Sequence, residues 1–379
     1  MHCLGLMSGT SADGVDAVLA RFDGNPQHPQ WSLLRHHHQP YPAQLQQQVV
    51  AAGQGAPMPA CGWLELAEAI TQVQADAAQA CDPEAKAELV GCHGQTVWHR
   101  PPAHGSRGAS WQMLQAPLLA QLLQRPVIHD FRAADLALGG QGAPLVPRAD
   151  AALLGSTEGW RALLNLGGIA NLTLIPPRSG VERHAAVLGW DCGPANSLID
   201  LGMRHFSDGA QHFDRGGAMA AQGRVDEGLI QRWLQEEYFQ LAPPKSTGRE
   251  CFGQADLNRR LDQLDGTSAA DVIATLTAFS AAVVAQDLEH LRQRHGIAPI
   301  ELITAGGGSQ NPVLIQELRR RCRGAQLDES SRLGVPTEAR EALVFALLAW
   351  WHQQNHPGNV PAVTGASRET VLGVRVNPA

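Results

Sequence analysis

Lysine is almost missing from this chain: Lys86 and Lys245 stand against 27 arginines in 379 residues. A Walker-type phosphate loop needs its lysine directly after a glycine. Lys245 precedes Ser246 and Thr247 but follows Pro243 and Pro244, so that loop cannot form there. No Gly-x-Gly-x-x-Gly opens a helix after a strand, which removes the dinucleotide fingerprint as well. The seven cysteines are scattered, odd in number and without a Cys-x-x-Cys pair. That argues against structural zinc and fits a reducing, cytoplasmic setting. The longest unbroken apolar run, Ala342 to Trp351, is too short to span a bilayer and fits a buried helix. Met1-His2-Cys3 leads straight into a strand, leaving no basic leader. A net charge of −7 argues against nucleic acid or an anionic membrane as the main partner.

What the chain has instead is an ordinary globular composition, 44% apolar and 17% charged, with length enough for two domains. Its most informative stretch is Gly5 to Asp16, where an apolar run enters a knot of Gly, Ser, Thr and Asp and another leaves at Val15. The pattern predicts a β-hairpin whose turn is held by Gly9 and Gly14. Such a turn can present backbone N–H groups and the Ser8, Thr10 and Ser11 hydroxyls to a phosphate, with Asp13 or Asp16 for Mg²⁺. A second hairpin of this kind is predicted at 162–175 around Asn165, Gly167 and Gly168. A third glycine cluster, Gly306-Gly307-Gly308, follows a strand at 301–304 and leads into a helix at 312–322, with Pro312 at its first position and Asn311 or Ser309 near the cap. One glycine turn is weak evidence; three after strands suggest a nucleotide gripped from several sides.

Between these turns, residues 43–80 carry helical signals with Leu64, Leu66, Ala67 and Ile70 on one face. A buried strand at 89–92 is predicted to end at His93, a helix to run over 114–123 and a strand to sit at Val127-Ile128. The stretch from Gly139 to Pro144 reads as a loop. A strand at 185–188 is predicted to end just before Asp191, whose Gly-Pro turn opens a helix over 197–203. Apolar positions 272, 276, 279, 283, 284, 288 and 291 mark a long helix over 268–294, and a last helix is predicted over 337–352. Strands and helices alternate throughout, so the class is α/β. The pattern restarts near 162, which suggests two related halves.

These motifs resemble the sugar kinase–actin–heat-shock ATPase superfamily and, within it, the anhydro-N-acetylmuramic acid kinases. The matching segments are Gly5 to Asp16, Cys92 to His99, Asp130 to Arg132, Gly139 to Pro147, Asn165 to Thr173, Asp191 to Asp200, Pro243 to Glu250 and Thr304 to Pro312. The resemblance implies a two-lobed actin-like/ribonuclease H-like ATPase fold with its active site in the interlobe cleft. The lobes would be 1–145, with the first phosphate hairpin and part of the sugar site, and 146–379, with the second hairpin and the adenosine loop. It implies an ATP- and Mg²⁺-dependent kinase that turns 1,6-anhydro-N-acetylmuramic acid and water into the 6-phosphate, in cell-wall recycling. A small-molecule sugar is the implied partner, with a homodimer left open. Two other readings stand beside it: another sugar kinase of the same fold, or an actin-like ATP-dependent assembly protein.

For the site, the resemblance implies nucleotide contacts at Gly9, Thr10, Ser11, Ala12, Asp13, Gly14, Val15 and Asp16, at Asn165, Gly167 and Gly168, and at Gly306, Gly307 and Gly308. Asp13 would hold the metal. Asp191 reads from sequence as a turn aspartate or a shielded general base; the resemblance implies the base. His93, Gln95 and Thr96 are expected at a strand exit as sugar-binding groups, His93 with a structural reading beside it. Arg132 pairs with Asp135 or reaches a substrate carboxylate bidentately. Glu338 is a helix-dipole residue or a substrate ligand. Two positions depart from the family pattern. Ala12 replaces a leucine, which should matter little, and Ala195 replaces a glycine, where alanine resists a positive φ. His36-His37-His38 reads as a solvated run, since neighbours on an extended segment face opposite ways. Trp63, Trp98, Trp111 and Trp160 read as core by default, with stacking on a sugar ring as the other reading for some of them.

Overall fold

The computed structural model describes residues 1–9, 12–102, 106–243, 245–248 and 251–379. Its contacts divide into two compact units, Met1–Leu154 with Gly334–Ala379, and Gly155–Leu333.

In the first unit the strands are β1 (His2–Ser8), β2 (Gly14–Asp23), β3 (Gln30–Pro40), β4 (Leu89–Arg100), β5 (Ala109–Met113) and β6 (Val127–His129). The first three pair antiparallel, β4 joins β1 in parallel and β6 joins β4 in parallel, giving the order β3-β2-β1-β4-β6. β1 and the first half of β4 are almost wholly buried, as expected for central strands covered on both faces. In the second unit the strands are β7 (Arg161–Leu166), β8 (Ile169–Ile175), β9 (Leu188–Pro194), β10 (Glu301–Ala305) and β11 (Gln326–Glu329). Here the order is β9-β8-β7-β10-β11, again three antiparallel strands followed by two parallel ones. The units repeat one topology, so the α/β fold of two related halves expected from the restarting pattern is what the chain adopts.

Three local expectations are corrected. First, the chain is not divided at 145/146: the C-terminal segment belongs to the first unit. The helix Arg340–Gln353 lies so close on β1 and β4 that a Cβ at Gly5 would stand 1.9 Å from the Ala342 carbonyl oxygen and one at Gly91 2.1 Å from that of Phe345. Arg340 pairs with Asp150, both buried, and a last strand, β12 (Val374–Val376), pairs antiparallel with β6. Second, β4 does not end at His93. It crosses a register shift opposite Leu6–Ser8 and goes on to pair antiparallel with β5, so His93, Gln95 and Thr96 are strand residues. Third, Leu64 is 63% exposed while Leu66 and Ile70 of the same helix, Ala60–Cys81, are buried. Residues two apart on a helix point to different sides.

The second unit is built round the helix Ala269–His295, in which every apolar stripe position predicted from sequence is buried. That helix is long and apolar enough to cross a membrane, yet 72% of its most apolar window is buried inside the protein, as a core helix is. The cysteines are free thiols, Cys61 and Cys251 exposed and the other five buried.

Candidate active site

Each of the two units carries its own group of polar residues.

In the first unit the β1–β2 turn is fastened from behind. Buried Gln95 donates from Nε2 to the Gly9 carbonyl at 3.0 Å, and its Oε1 lies 2.5 Å from Ser8 Oγ and 3.3 Å from Tyr41 Oη. Ser8 Oγ in turn lies 2.8 Å from the Gly14 carbonyl. Thr10 and Ser11 fall outside the described residues. Ala12 is buried at φ +52°, its N–H donating to the Gly9 carbonyl at 3.2 Å. Val15 is buried in the core, and Gly14 is needed because a Cβ there would meet the Gln39 carbonyl at 2.3 Å. The Asp13 side chain is exposed at the turn. Asp16 is engaged from β3: His36 Nε2 and His38 Nδ1 stand 3.2 and 3.0 Å from its Oδ1, with His37 on the other face. The histidine run is therefore partly a support for Asp16. Among the described residues no cluster of three or more His, Cys, Asp or Glu could cage a metal.

His93 is buried, packs on the Phe345 ring with centroids 4.6 Å apart, and uses both ring nitrogens. Arg132 Nε donates to His93 Nε2 at 3.1 Å, and Arg132 Nη1 donates to the Gly142 carbonyl at 2.8 Å. Asp135, the internal partner considered for Arg132, is taken instead by Gly142 N–H, Asn359 and Thr364. Burial lowers the Arg132 pKa and the Glu341 carboxylate opposes that. Glu341, exposed in the first turn of the helix Arg340–Gln353, is pushed above the usual carboxylate range by partial desolvation, with Arg340 and Arg132 pulling the other way. Sequence reasoning passed over Glu341 for Glu338, which is exposed in the short turn Thr337–Ala339. The available signal was spacing: Glu341 lies one residue past Arg340, on the helix that covers β1 and β4. Thr96 accepts from Gln112 Nε2 at 3.2 Å, and with Gln95, Trp98 and His99 it lines a cavity of about 360 Å³ closed by Val49, Val50 and Gln54. Trp98 and Trp111 are not core; they are 54% and 47% exposed, and Trp111 lies against Trp63 with centroids 5.1 Å apart.

In the second unit three segments distant in sequence converge. The β7–β8 turn at Gly167-Gly168 is pinned from one side: Asn196 Nδ2 donates to the carbonyls of Leu166 and Gly167, and the N–H groups of Ala195 and Ser197 donate to Gly168. β10 pairs with β7 as far as Ala305 opposite Asn165, which brings the glycine cluster alongside. A Cβ at Gly306 would lie 2.6 Å from Asn165 Oδ1 and one at Gly308 2.8 Å from Leu166 Cβ, whereas Gly307 faces nothing within 4 Å. Asn311 caps the following helix, Pro312–Arg321, by accepting from the N–H groups of Val313 and Leu314. Ala195 does not have a positive φ; the positive value of this turn falls on Gly193, at +151°. Alanine thus suits position 195.

Asp191 lies inside edge strand β9 rather than beyond a strand. The register slips between Ala170 and Asn171, so Asp191 pairs with Asn171 and Cys192 is extra, a bulge of the kind that re-aims a side chain. Its Oδ1 accepts from Asn171 Nδ2 at 2.8 Å, and its Oδ2 from Ser246 Oγ and Thr247 N–H, each at 3.0 Å. Nearby, Ser197 Oγ and Thr247 Oγ1 are buried with no protein partner. Both oxygens of this carboxylate are thereby fixed, and the orphaned Thr247 hydroxyl belongs to the segment that binds it.

A family model described as anhydro-N-acetylmuramic acid kinase matches residues 1–378. The anhydro-N-acetylmuramic acid kinases of Synechococcus sp. (strain CC9605) and Parasynechococcus marenigrum (strain WH8102) are 87% and 68% identical over 379 residues, covering 100% of each chain. Among solved structures, the xylulose kinase from Rhodospirillum rubrum is similar with a TM-score of 0.45 at 12% identity, over 100% of this chain and 94% of that one. The chain belongs to the anhydro-N-acetylmuramic acid kinase family.

Proposed function

We infer that this protein is an ATP-dependent kinase that hydrolyses the ring of 1,6-anhydro-N-acetylmuramic acid and phosphorylates the oxygen so released. The observation that carries the mechanism is the fixed carboxylate of Asp191, with donors on both oxygens. An anhydro sugar has no free 6-hydroxyl, so water addition and phosphoryl transfer must be coupled. Asp191 takes a proton from water as the oxygen bonds to C1; the C1–O6 bond breaks, and O6 attacks the γ-phosphorus while ADP leaves. Holding the base rigidly converts an encounter with water into a prepared geometry.

Arg132 is the group for the acidic lactyl arm of a muramic sugar. Its Nε and Nη1 are committed to His93 and Gly142, which orients the guanidinium while its remaining donors suit a carboxylate. His93 then serves as the support of Arg132 rather than as a direct sugar ligand, and Gln95 as the support of the phosphate turn. Thr96 keeps a place in the sugar site by lining the cavity of β4. The nucleotide phosphates fall to the turns at Gly9–Asp16 and Gly167-Gly168, the latter with the orphaned Ser197 hydroxyl at the first residue of the helix Ser197–Phe206, where backbone N–H groups favour anions. Adenosine falls to Gly306–Gly308.

Mg²⁺ is commonly held by one or two carboxylates together with substrate phosphates and water, and the single exposed carboxylate of Asp13 on the turn fits that donor set. Bound there, the ion would neutralise charge building on the transferred phosphoryl group.

The test is isotopic. In ¹⁸O-enriched water the coupled reaction puts solvent oxygen on C1, analysed before the open aldehyde exchanges it, and leaves the bridge oxygen bonded to phosphorus. Label in free phosphate instead, unaffected by the sugar, would point to an assembly ATPase. An unlabelled sugar phosphate would point to an ordinary hydroxyl-directed kinase.

A further inference from the structure

One of the chain's two lysines is deeply buried, and its surroundings converge on Asp191. Lys245 Nζ lies 2.8 Å from Asp287 Oδ1, and both side chains are 2% exposed. The ammonium also stands 5.1 Å from the centroid of the Tyr238 ring. Asp287 projects from the core helix Ala269–His295, and its other oxygen accepts from Trp190 Nε1 at 2.9 Å. Burial, and after it the Asp287 charge, push the Cys192 thiol up. Asp287 therefore grips Trp190, the neighbour of Asp191 in β9, and, through Lys245, the segment that faces it.

That segment, residues 245–248, has no regular secondary structure to hold it in place. Its contacts with Asp191 are nonetheless dense. The Lys245 carbonyl accepts the Asp191 N–H at 3.0 Å, and Ser246 Oγ and Thr247 N–H bind the Asp191 carboxylate. Tyr238, beneath the ammonium, donates its hydroxyl to the Asp191 carbonyl at 2.7 Å. A buried ion pair is a poor way to stabilise a core, since apolar residues of similar volume often do as well or better. What an ion pair adds is a fixed register between two segments.

We propose that Lys245 and Asp287 form a positioning clamp for Asp191, locking residues 245–247 against β9 so that the carboxylate is aimed before substrate arrives. Neither residue touches substrate. The proposal rests on the reading of Asp191 as the general base.

The experiment compares kcat, the KM values for ATP and 1,6-anhydro-N-acetylmuramic acid, and the melting temperature of the full chain in four variants. These are Lys245→Met, Lys245→Met/Asp287→Leu, Asp191→Asn and Lys245→Met/Asp191→Asn. Lys245→Met strands a buried carboxylate and is expected to melt early. The Met/Leu pair should recover the wild-type melting temperature while kcat stays about a hundredfold low, the scale of an ångström of misplacement, with KM for ATP unchanged. In the Asp191→Asn background Lys245→Met should cost no further turnover. A Met/Leu pair with wild-type kcat would overturn the clamp and leave a merely structural ion pair. Multiplicative losses in the two single variants would overturn it equally. The base reading fails separately, and visibly, if Asp191→Asn alone turns over like the wild type.

Discussion

Arg132 donates its Nε–H to Nε2 of His93 at 3.1 Å, and this contact fixes the protonation of the imidazole. A guanidinium can only donate, so Nε2 must be the bare nitrogen and Nδ1–H donates to the Gly94 carbonyl at 2.9 Å. The ring is neutral for two reasons. Burial and, after it, the Arg132 charge push the His93 pKa down to about 3.

Acid stability follows from that depression. Between pH 6.5 and 3 the unfolded chain takes up a proton at residue 93 that the folded chain refuses. Unfolding is therefore favoured as pH falls through about 6.5, by up to ~1.4 kcal/mol per pH unit from this group. Above pH 7 the term is absent. Urea unfolding of wild type and His93→Gln at steps from pH 7.5 to 4.5 should show the wild type losing stability faster, so that the two curves approach one another. Parallel curves would mean that His93 is free to protonate in the folded state.

Arg132→Lys tests the sugar side. A lysine cannot reach His93 and Gly142 and still offer two parallel donors to a carboxylate. Losing a bidentate, charge-assisted contact should raise KM for 1,6-anhydro-N-acetylmuramic acid roughly ten- to hundredfold and leave KM for ATP alone. The same variant should lose its preference over 1,6-anhydro-N-acetylglucosamine, which lacks the lactyl acid. A preference equal to the wild type's would remove Arg132 from that role.

Asp13→Ala tests the metal side. With the exposed turn carboxylate gone, turnover at saturating ATP should fall on the order of a hundred- to a thousandfold, and the Mg²⁺ needed for half-maximal rate should rise. Circular dichroism should be unchanged, because Gln95 and Ser8 hold the turn from behind. An unaltered Mg²⁺ titration would take Asp13 out of the site.

The three glycine turns, both hairpins and the long core helix were legible because each is written in consecutive residues: apolar runs, a φ-permissive turn, a helical stripe. What escaped depends on pairing across the chain. β4 continues past His93 because β5, which begins sixteen residues further on, supplies an antiparallel partner, and nothing in Gln95-Thr96-Val97 announces it. Asp191 sits within β9 because Cys192 is a bulge, a feature of two strands together and not of one. Glu341 becomes a site candidate only when the charge of Arg132, some two hundred residues earlier, is found to act on it. The restarting pattern near 162 revealed the duplication, but it hid the return of the C-terminal helix to the first sheet.

That return makes the most direct stability prediction. Gly5 on β1 and Gly91 on β4 are the floor on which the helix Arg340–Gln353 rests. An added methyl group at Gly5 would stand 1.9 Å from the Ala342 oxygen and 2.7 Å from the Ala346 nitrogen, and at Gly91 2.1 Å from the Phe345 oxygen. These are backbone atoms of a buried helix, so no side-chain rotation relieves the overlap. The helix must lift, loosening the Arg340–Asp150 pair and the Phe345 packing on His93. Gly5→Ala and Gly91→Ala should each cost about 3 kcal/mol or more, at or above the upper range for overpacked cores. Gly53→Ala is the control. It ends the helix Ala43–Gly53 with no atom nearer than 3.8 Å to its new methyl, and should be neutral or slightly stabilising. Equal melting temperatures for Gly5→Ala and Gly53→Ala would show that residues 340–353 do not lie on this sheet, and with that the assignment of the C-terminal segment to the first unit would fall.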